Sequence, residues 1–415
     1  MDFAVDATTR ELYERAAQFI EEFVIPAEKY FHDNPTAGDL RWERPAIMAD
    51  LKRQAKALGL WNLFLPHHPA GANLTNLQYA PIAELTGRSP EIAPEAFNCS
   101  PPDTGNMELL SLFGTEDQQQ QWLAPLLEGE IRSAYCMTEP HTSSSDPANL
   151  ATMIIDEGDH WRVNGRKWWS TGAMSKDCKL MIVMGVSDPE QDPRNRHSLV
   201  LVPRDTPGVT IERGLEIFGF THGAHGGHAE VRFDDVRVPK QNLLGERGRG
   251  QALAQARLGP GRIHHCMRMI GMAERAIELM CLRADERHAF GKRLADQGVI
   301  QHWIAESRVK IDQLRLFVLR AAWLIDTVGA QQARTEISSI KVAAPDAVGW
   351  VIDKAIQVHG AGGMTRDYPL AMLWTQARTM RFIDGADEVH RMVLASRELR
   401  RQSAMRDRAA AAARP

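Results

Sequence analysis

The spacing of apolar residues changes twice along this 415-residue chain, and these changes limit the folds it can adopt. Over residues 8–129 apolar side chains recur at three- and four-residue steps, which predicts amphipathic helices. Over 131–239 short β-rich runs alternate with Pro, Gly and Asp clusters, which predicts a small antiparallel barrel or sandwich. From about Gly250 long helical segments return, notably 300–328 and 334–359, and they predict a four-helix-bundle-like domain.

The chain is therefore expected to be an α+β multidomain protein. Two capping boxes, Thr8–Glu11 and Thr115–Gln118, mark predicted helix starts. Pro26 is expected to end or bend the first helix because it lacks a backbone donor. The predicted limits are 1–130 for an N-terminal helical domain, 131–245 for a middle β domain, 246–400 for a C-terminal helical bundle and 401–415 for a disordered tail.

Composition excludes several functional classes. The 49 Lys and Arg residues against 53 Asp and Glu residues leave a net charge of −4, so no partner nucleic acid is expected. No run of about 18 apolar residues occurs, which predicts no membrane span. The acidic N-terminus has neither a signal- nor a transit-peptide pattern. Five scattered cysteines without a CxxC pair predict reduced thiols and a cytoplasmic location.

Two polar segments are candidate ligand sites. Tyr135–Pro140 leaves a strand and continues into 143–146, where hydroxyls and backbone N–H groups can surround a flavin tail or a phosphate. An ordinary turn rich in Ser and Asp fits the same residues. The run 167–172 contains paired tryptophans, which either offer a flat face to an aromatic cofactor or fill a core or an interface.

These segments and four further motifs, in their order along the chain, resemble the acyl-CoA dehydrogenase family. The resemblance covers essentially the whole length. The motifs are Met137–Pro140, Lys167–Trp169, Phe233–Pro239 with Asn242–Gly245, Arg287–Gly291, Gln357–Gly360 and Asp367–Pro369.

Within that family the chain is most similar to the dehydrogenase portion of proteins that in animals are fused to an aminoglycoside-phosphotransferase-like kinase domain. This chain has no room for a kinase and is expected to be a free-standing form. The segments that carry this similarity are Pro102–Glu108, His225–His228, Gly259–Cys266 and Asp384–His390.

The resemblance implies a non-covalently bound FAD held by the polar loop. This chain has one residue more than the usual family stretch after Pro140, so the choice between Ser144 and Ser145 stays open. The implied loop contacts are Tyr135, Met137, Thr138, Ser144 and Ser145.

Further flavin contacts are implied elsewhere in the chain. Trp169 would lie against the isoalloxazine ring, and Thr171 would reach its reactive edge. Other residues would contact the FAD of a neighbouring subunit, in agreement with a homodimer or homotetramer built from the long C-terminal helices. These residues are Arg287, Gln357, Gly360 and Ala361, and Glu388 is a further implied cofactor contact.

The resemblance also assigns a catalytic base. Most of the family has Glu before Gly at the position where this chain has Asp384 and Gly385. An acidic residue at a helix end before a Gly cap is the alternative interpretation. Some family members place the base where this chain has Gly261, which cannot act as one. Arg262 is implied to lie near the base and to tune its carboxylate.

Two groups of histidines are candidate metal ligands. His222, His225 and His228 follow three-residue steps in a Gly-rich loop, and His264–Cys266 form the second group. Helical spacing has no meaning in a loop and no carboxylate cluster completes the first group, so no metal is expected. Substrate contacts are expected instead at Ser145, His225, His228 and Gly385.

The implied function is FAD-dependent α,β-dehydrogenation of an acyl-CoA thioester to the 2-enoyl-CoA, in fatty acid or other lipid metabolism. Asp384 would remove the α-proton and the flavin would accept the β-hydride. An electron-transferring flavoprotein is the expected acceptor. Three alternatives stay open: a flavin-dependent oxidase or monooxygenase on the same fold, an acyl-CoA-binding protein with little redox turnover, and a structural helical assembly protein.

Overall fold

The computed structural model describes the backbone of residues 6–32, 41–66 and 68–412, with side chains except at 32, 258–260 and 410–412. The chain forms two compact units, divided between Gly261 and Arg262. The expected α+β class is confirmed. The predicted limits of the N-terminal and β domains both fall in the first unit, and they stay predictions.

The first unit begins with short helices. Asp6 is the N-cap of the first helix, and its carboxylate accepts a hydrogen bond from Thr9 N at 3.0 Å, so the predicted capping box at Thr8 is wrong. The capping box from Thr115 to Gln118 is confirmed. The helices are α1 (Ala7–Phe19), α2 (Ile25–His32), α3 (Ile47–Ala57), α4 (Asn76–Thr86), α5 (Ala93–Ala96), α6 (Asp103–Phe113), α7 (Glu116–Gln118) and α8 (Ala124–Glu128).

Pro26 does not end the first helical stretch. A π-helical segment, Ile20–Val24, joins α1 to α2, and Pro26 is the second residue of α2. Because the helical stretch continues from Ile20–Val24 into α2, Pro26 lies in its interior, and the wider π-helical turn just before it accommodates the missing backbone donor.

The strands of the first unit form one eight-stranded sheet. Seven follow the order β6-β7-β3-β2-β4-β5-β8, and β1 pairs with β4. Side chains of these strands form a buried core, which includes Val163, Val183, Val200, Val231 and Phe233. The strands are β1 (Arg132–Cys136), β2 (Met153–Asp156), β3 (His160–Thr171), β4 (Cys178–Val186), β5 (His197–Pro203), β6 (Val209–Leu215), β7 (His228–Pro239) and β8 (Leu243–Leu244).

The sheet is mixed: most of its strand pairs are antiparallel, as the sequence predicts, but two pairs are parallel. Strand β1 runs parallel to β4, with Ser133 opposite Leu180 and Cys136 opposite Val183. Strand β2 also meets β4 in parallel, at Met153 and Val186. The connection from β1 to β4 contains β2 and β3, and a connection of that length permits parallel pairing that a tight turn does not.

The second unit is helical. It contains α9 (Gly250–Glu286) from Arg262 onward, the hairpin of β9 (His288–Ala289) and β10 (Lys292–Arg293), α10 (Gly298–Val328), α11 (Arg334–His359), α12 (Leu370–Thr379) and α13 (Asp387–Ala412). Helix α11 packs against α10, α12 and α13, and it has the bounds that the sequence predicts. Pro345 is buried within it without ending it.

Helix α13 includes residues 401–412 of the predicted disordered tail. Alanine-rich sequence has high helix propensity, and the side chains of 401–409 are exposed. Across the part of the chain with described structure, no helix is both long and apolar enough to cross a membrane.

A buried ion cluster joins the helices of the first unit to β1. The Glu95 carboxylate is fully buried and receives Arg132 Nη1 at 2.9 Å, Arg44 Nη1 at 2.7 Å and Lys52 Nζ at 2.6 Å. Arg132 Nε also contacts Asp103 Oδ2 at 2.7 Å. Burial alone raises the pKa of Glu95, but the three cations, Arg132 foremost, hold it well below its usual range.

Glu95→Gln is expected to lower the free energy of unfolding by about 3–5 kcal/mol, because three cations lose their buried counter-charge. The matched control Glu128→Gln removes the exposed pair with Lys56 and should cost about 1 kcal/mol or less. Urea unfolding followed by circular dichroism measures both variants.

The pH dependence of this difference follows from the lowered pKa of Glu95. The stabilisation is complete above the pKa of the unfolded carboxyl, about 4.3, and is lost as the pH falls through the folded-state value. The wild-type advantage over Glu95→Gln should therefore shrink on acidification. A constant difference down to acid pH would contradict this assignment.

Candidate active site

A buried ion pair fixes the polar loop that follows β1. Lys167 is fully buried, and its Nζ donates to Met137 O and to Glu139 Oε1, both at 2.8 Å. The Glu139 carboxylate also accepts from Ala151 N at 2.8 Å and Thr152 N at 2.9 Å. Burial raises the pKa of Glu139, but Lys167 and these donors lower it by more. The net pKa lies below the ordinary value for Glu, so the carboxylate is charged.

Three more hydrogen bonds shape the same loop. Thr138 Oγ1 donates to Trp168 O at 2.6 Å, and Trp168 N donates to Thr138 O at 3.0 Å. Ser144 Oγ accepts from Glu139 N at 2.9 Å, whereas Ser145 is exposed. Ser144 therefore stabilises the loop itself, and Ser145 has the hydroxyl that faces outward.

Trp169 has an unusual backbone conformation. Its φ is +52°, in the left-handed region that bulky residues rarely adopt, and the β3–β7 register shifts between Lys167 and Ser170. The side chain remains 39% exposed, and its ring lies edge-on to His228 with centroids 5.6 Å apart. Strain of this kind persists where the surroundings impose it, commonly at ligand sites.

The residues around Trp169 fit a flavin. The partly exposed Trp169 lies two residues before Thr171, whose hydroxyl can contact the edge of a ring stacked on the indole, and the loop with Ser145 can receive the polar tail. These observations concern the first unit alone.

Tyr135 lies at the end of β1 beneath a cation. The Arg257 guanidinium is 4.3 Å from the centre of the Tyr135 ring, and Arg257 Nε donates to Asn106 Oδ1 at 3.0 Å. Burial raises the pKa of Tyr135 to about 12. Glu108 is buried near Arg257, and burial raises its pKa to about 8 although the cation opposes this.

Sequence reasoning missed Arg257 and Glu108. A sequence signal existed for Arg257, because it follows the buried Leu253 and Ala254 by four and three residues and so shares their helix face. A cation on a buried face needs a partner, which is a functional or structural clue.

The loop histidines are hydrogen-bonded to one another and to other elements. His222 Nδ1 lies 3.1 Å from His228 Nε2, and Ser100 Oγ lies 2.9 Å from His225 Nδ1. Among the residues with described structure, no group of three or more His, Cys, Asp or Glu has a metal-binding arrangement. The substrate roles of His225 and His228 stay predictions.

In the second unit, Asp384 lies in the turn between α12 and α13. Its φ is +58°, and Gly385 follows with φ +107°. Arg262 Nε donates to the carbonyl oxygen of Asp384 at 3.0 Å, and His390 Nε2 is 3.2 Å from the same oxygen. His265 Nε2 is 3.6 Å from Asp384 Oδ2.

This geometry differs from the alternative expectation of a capped helix end. Helix α12 ends at Thr379, five residues before Asp384. Arg262 reaches the main chain of Asp384, so it orients the turn that bears the carboxylate. The Asp384 side chain is 12% exposed and therefore largely shielded from water.

Neighbouring buried groups hold this turn in place. Burial lowers the pKa of His390 to about 4, so the ring is neutral, and its Nδ1 lies 3.3 Å from Ser338 Oγ. The buried Lys341 Nζ donates to Met380 O at 2.6 Å. Sequence reasoning did not single out Ser338 or Lys341, because nothing local to α11 indicates which turn they contact.

The remaining predicted cofactor residues of the second unit lie at element ends. Arg287 directly follows α9, Gln357 lies in the last turn of α11, and Gly360 ends α11 with φ +65°. All five are exposed, as groups that contact a neighbouring molecule would be: Arg287, Gln357, Gly360, Ala361 and Glu388.

Comparison with domain families finds three consecutive matches. Residues 6–130 match the acyl-CoA dehydrogenase N-terminal domain, 134–236 the middle domain and 248–399 the C-terminal domain. Together they cover nearly the whole chain.

Individual relatives extend over the same length. The chain is 53% identical over 403 residues to "Probable acyl-CoA dehydrogenase FadE2" of Mycobacterium tuberculosis, covering 97% of this chain and 98% of that relative. It is 50% identical over 406 residues to acyl-CoA dehydrogenase family member 11 of Rattus norvegicus, covering 97% of this chain but 52% of that relative. The chain thus spans about half the length of the rat protein.

A solved structure from Mycobacterium abscessus, of a protein assigned to the acyl-CoA dehydrogenases, is also similar. The TM-score is 0.94 at 49% identity, covering 96% of this chain and 100% of that chain.

Lys167→Met is expected to lower the free energy of unfolding by about 3 kcal/mol, because it leaves the Glu139 carboxylate buried without its cation. Lys176→Met is the matched control, since its partner Glu43 and the ammonium are exposed, and it should cost about 1 kcal/mol or less. Adding Glu139→Gln to Lys167→Met should recover part of the loss. Urea unfolding measures all three, and equal losses for the two lysine variants would contradict the role of the pair.

Proposed function

Because the chain belongs to the acyl-CoA dehydrogenase family, we propose that it oxidises an acyl-CoA thioester to the 2-enoyl-CoA with FAD as its cofactor. Membership makes the chain an oxidoreductase and a flavoprotein. The choice of FAD, the substrate contacts and the residue roles are parts of the proposal. The observation that carries it is the largely buried Asp384 carboxylate in a turn held by Arg262 and His390.

Asp384 is the proposed base that removes the α-proton of the substrate. Its carbonyl oxygen accepts hydrogen bonds from Arg262 and His390, so the left-handed turn and the direction of its side chain are fixed before substrate binds. Shielding from water favours proton uptake by a carboxylate. The backbone N–H of Asp384 is the proposed donor to the thioester oxygen, where negative charge develops.

The shorter side chain has a consequence for the substrate. Asp places its carboxylate about 1.5 Å nearer the backbone than Glu does, given ordinary bond lengths. The thioester must therefore approach the turn closely, and Gly385, which adds no side chain beside it, permits this. His265, 3.6 Å from Oδ2, is placed to orient the carboxylate.

The first unit would hold the flavin. Trp169 and Thr171 would face the ring, and the loop from Tyr135 to Thr138 with Ser145 would bind the polar tail. When bound, the flavin supplies a two-electron acceptor for the hydrogen at the β-carbon. Ser145, His225, His228 and Gly385 are the proposed substrate contacts.

The exposed Arg287 and Gln357 support a homodimer or homotetramer in which one subunit contacts the FAD of another. An electron-transferring flavoprotein is the proposed acceptor of the electrons. The proposal includes a role in fatty acid or other lipid metabolism.

Asp384→Asn should slow flavin reduction by acyl-CoA about 10²–10⁴-fold, because the amide keeps the shape but cannot accept the proton. FAD content should be unchanged. Anaerobic stopped-flow bleaching with a panel of acyl-CoA thioesters measures the rate. The control Asp353→Asn changes an exposed acid of α11 and should reduce normally.

Near-normal bleaching in Asp384→Asn would show that another group is the base. Asp384→Glu tests separately how the length of the acidic side chain affects the reaction. A changed preference for acyl-chain length is expected, because the carboxylate moves outward from the turn.

Arg287→Ala should weaken FAD retention about 10- to 100-fold, the size expected for loss of a charge-assisted hydrogen bond to the pyrophosphate. Arg293→Ala is the control, since Arg293 pairs with Asp285 and Asp296 on the same surface hairpin. Dilution and gel filtration with flavin fluorescence measure retention, and sedimentation reports the oligomer. A monomer that keeps its FAD would contradict a site shared between subunits.

A further inference from the structure

A chain of hydrogen-bonded side chains leads from the end of β3 into the interior of the first unit. Thr171 and His228 are directly opposite each other in the antiparallel β3–β7 pair, and Thr171 Oγ1 lies 3.0 Å from His228 Nδ1. The other nitrogen of that ring, His228 Nε2, lies 3.1 Å from His222 Nδ1. The three side chains therefore form one continuous line of proton donors and acceptors.

The line ends at a carboxylate that reaches solvent. His222 Nε2 is 3.9 Å from Glu91 Oε1, just beyond hydrogen-bond distance, so the last transfer requires a small movement of the Glu91 side chain toward the ring. His222 Nε2 has no direct hydrogen-bond partner among the residues with described structure. The Glu91 side chain is 19% exposed, so it can exchange protons with water.

Both imidazoles are buried and neutral. Burial lowers the pKa of His222 to about 4 and that of His228 well below its ordinary value. A neutral imidazole has one N–H and one unprotonated nitrogen, so each ring can receive a proton on one side while releasing one from the other.

The conformation of the loop backbone brings His222 close to the start of β7. Its φ is +52°, and Gly226 and Gly227 follow with φ +73° and +62°, so the loop turns back on itself before His228. A Cβ at Gly227 would approach the Trp42 ring at 2.4 Å. The tight loop needs these glycines, and it brings two histidines six residues apart into contact.

Two tautomeric arrangements satisfy this line. In the first, Thr171 donates to His228 Nδ1, His228 Nε2–H donates to His222 Nδ1, and His222 Nε2–H points to Glu91. In the second, His222 Nδ1–H donates to His228 Nε2, His228 Nδ1–H donates to Thr171 Oγ1, and the Thr171 hydroxyl is free to donate elsewhere.

The two arrangements suit the two redox states of a flavin at Thr171. In the first, Thr171 Oγ1 can accept from the N–H of a reduced ring. In the second, the Thr171 O–H can donate to the unprotonated nitrogen of an oxidised ring. The first arrangement becomes the second when each proton moves to the next group in the line: from the ring to Thr171, from Thr171 to His228, from His228 to His222, and from His222 to Glu91.

We propose that Thr171, His228 and His222 relay to Glu91 the proton that the cofactor releases when it is reoxidised. This rests on the proposed function, in which Thr171 lies at the reactive edge of the flavin. Two electrons leave one at a time, to two equivalents of a one-electron acceptor such as an electron-transferring flavoprotein or ferrocenium. One proton leaves the flavin ring nitrogen, each residue breaks one O–H or N–H bond as it forms another, and Glu91 passes the proton to water.

The test uses His222→Asn in the FAD-loaded protein. Asn tolerates the left-handed backbone, and its amide can keep the hydrogen bond to His228, but it does not pass a proton on. Dithionite-reduced flavin should be reoxidised by ferrocenium about 10²-fold more slowly than in the wild type. Anaerobic reduction by acyl-CoA should change no more than about twofold, since the hydrogen then reaches the ring from the substrate as hydride and no proton has to pass along the relay.

Glu91→Gln should slow reoxidation in the same direction. His160→Asn is the matched control, because His160 lies on a surface hairpin of the same sheet and should leave both half-reactions unchanged. Equal reoxidation rates in His222→Asn and wild type would overturn the relay. Equal slowing of both half-reactions would also overturn it, since this would indicate a structural role.

A second measurement does not depend on turnover. Nitrogen NMR of histidine-labelled wild-type protein reports which ring nitrogen is protonated in His222 and His228. Both tautomers should switch when dithionite reduces the bound flavin, and unchanged tautomers would overturn the relay. Dithionite replaces the acyl-CoA, so failure of every acyl-CoA to bleach the flavin would contradict the proposed dehydrogenation and leave the relay test intact.

Discussion

The ion cluster around the buried Glu95 carboxylate is the interaction on which the first unit of the structure depends. Two of its three cations, Arg44 and Lys52, lie close together in the chain, whereas Arg132 comes from a distant part of the first unit, opens β1 and contacts Asp103 as well. In a low-dielectric interior, separating any of these charges from its partner costs several kcal/mol of free energy. The cluster therefore fixes the start of β1 against α3, α5 and α6. Because the polar loop follows β1 directly, the position of β1 also fixes where this loop begins.

The same physical constraint recurs at the other end of this loop. Lys167 on β3 is buried with Glu139, which also accepts two backbone N–H groups. The ion pair therefore ties the loop to β3 just before the strand bulges at Trp169. Past the bulge, Thr171 pairs with His228, so one strand end presents an aromatic face, a hydroxyl and the line of histidines.

In the second unit, a set of contacts positions Asp384, whose carboxylate is the proposed catalytic base. Asp384 occupies a left-handed turn whose carbonyl oxygen contacts Arg262 and His390, and Lys341 holds the preceding turn through Met380. These contacts are made to main-chain oxygens. Asp in place of Glu therefore changes how far the carboxylate extends from the turn, but it does not change the hydrogen bonds that hold the turn. Preorganised groups of this kind are what a proton transfer at carbon requires.

The sequence by itself determined the order of elements, the bounds of α11, the β region between two helical regions and the family motifs, because apolar spacing and turn chemistry are local properties. Asp6 replaced Thr8 as a helix cap since capping depends on which side chain reaches the N–H groups. Only the tertiary structure decided the parallel β1–β4 pairing, the partners of Lys167 and Glu95, and the contact of Arg262 with the Asp384 carbonyl. Those pairings join residues far apart in the chain, and burial makes them obligatory only after the elements have packed.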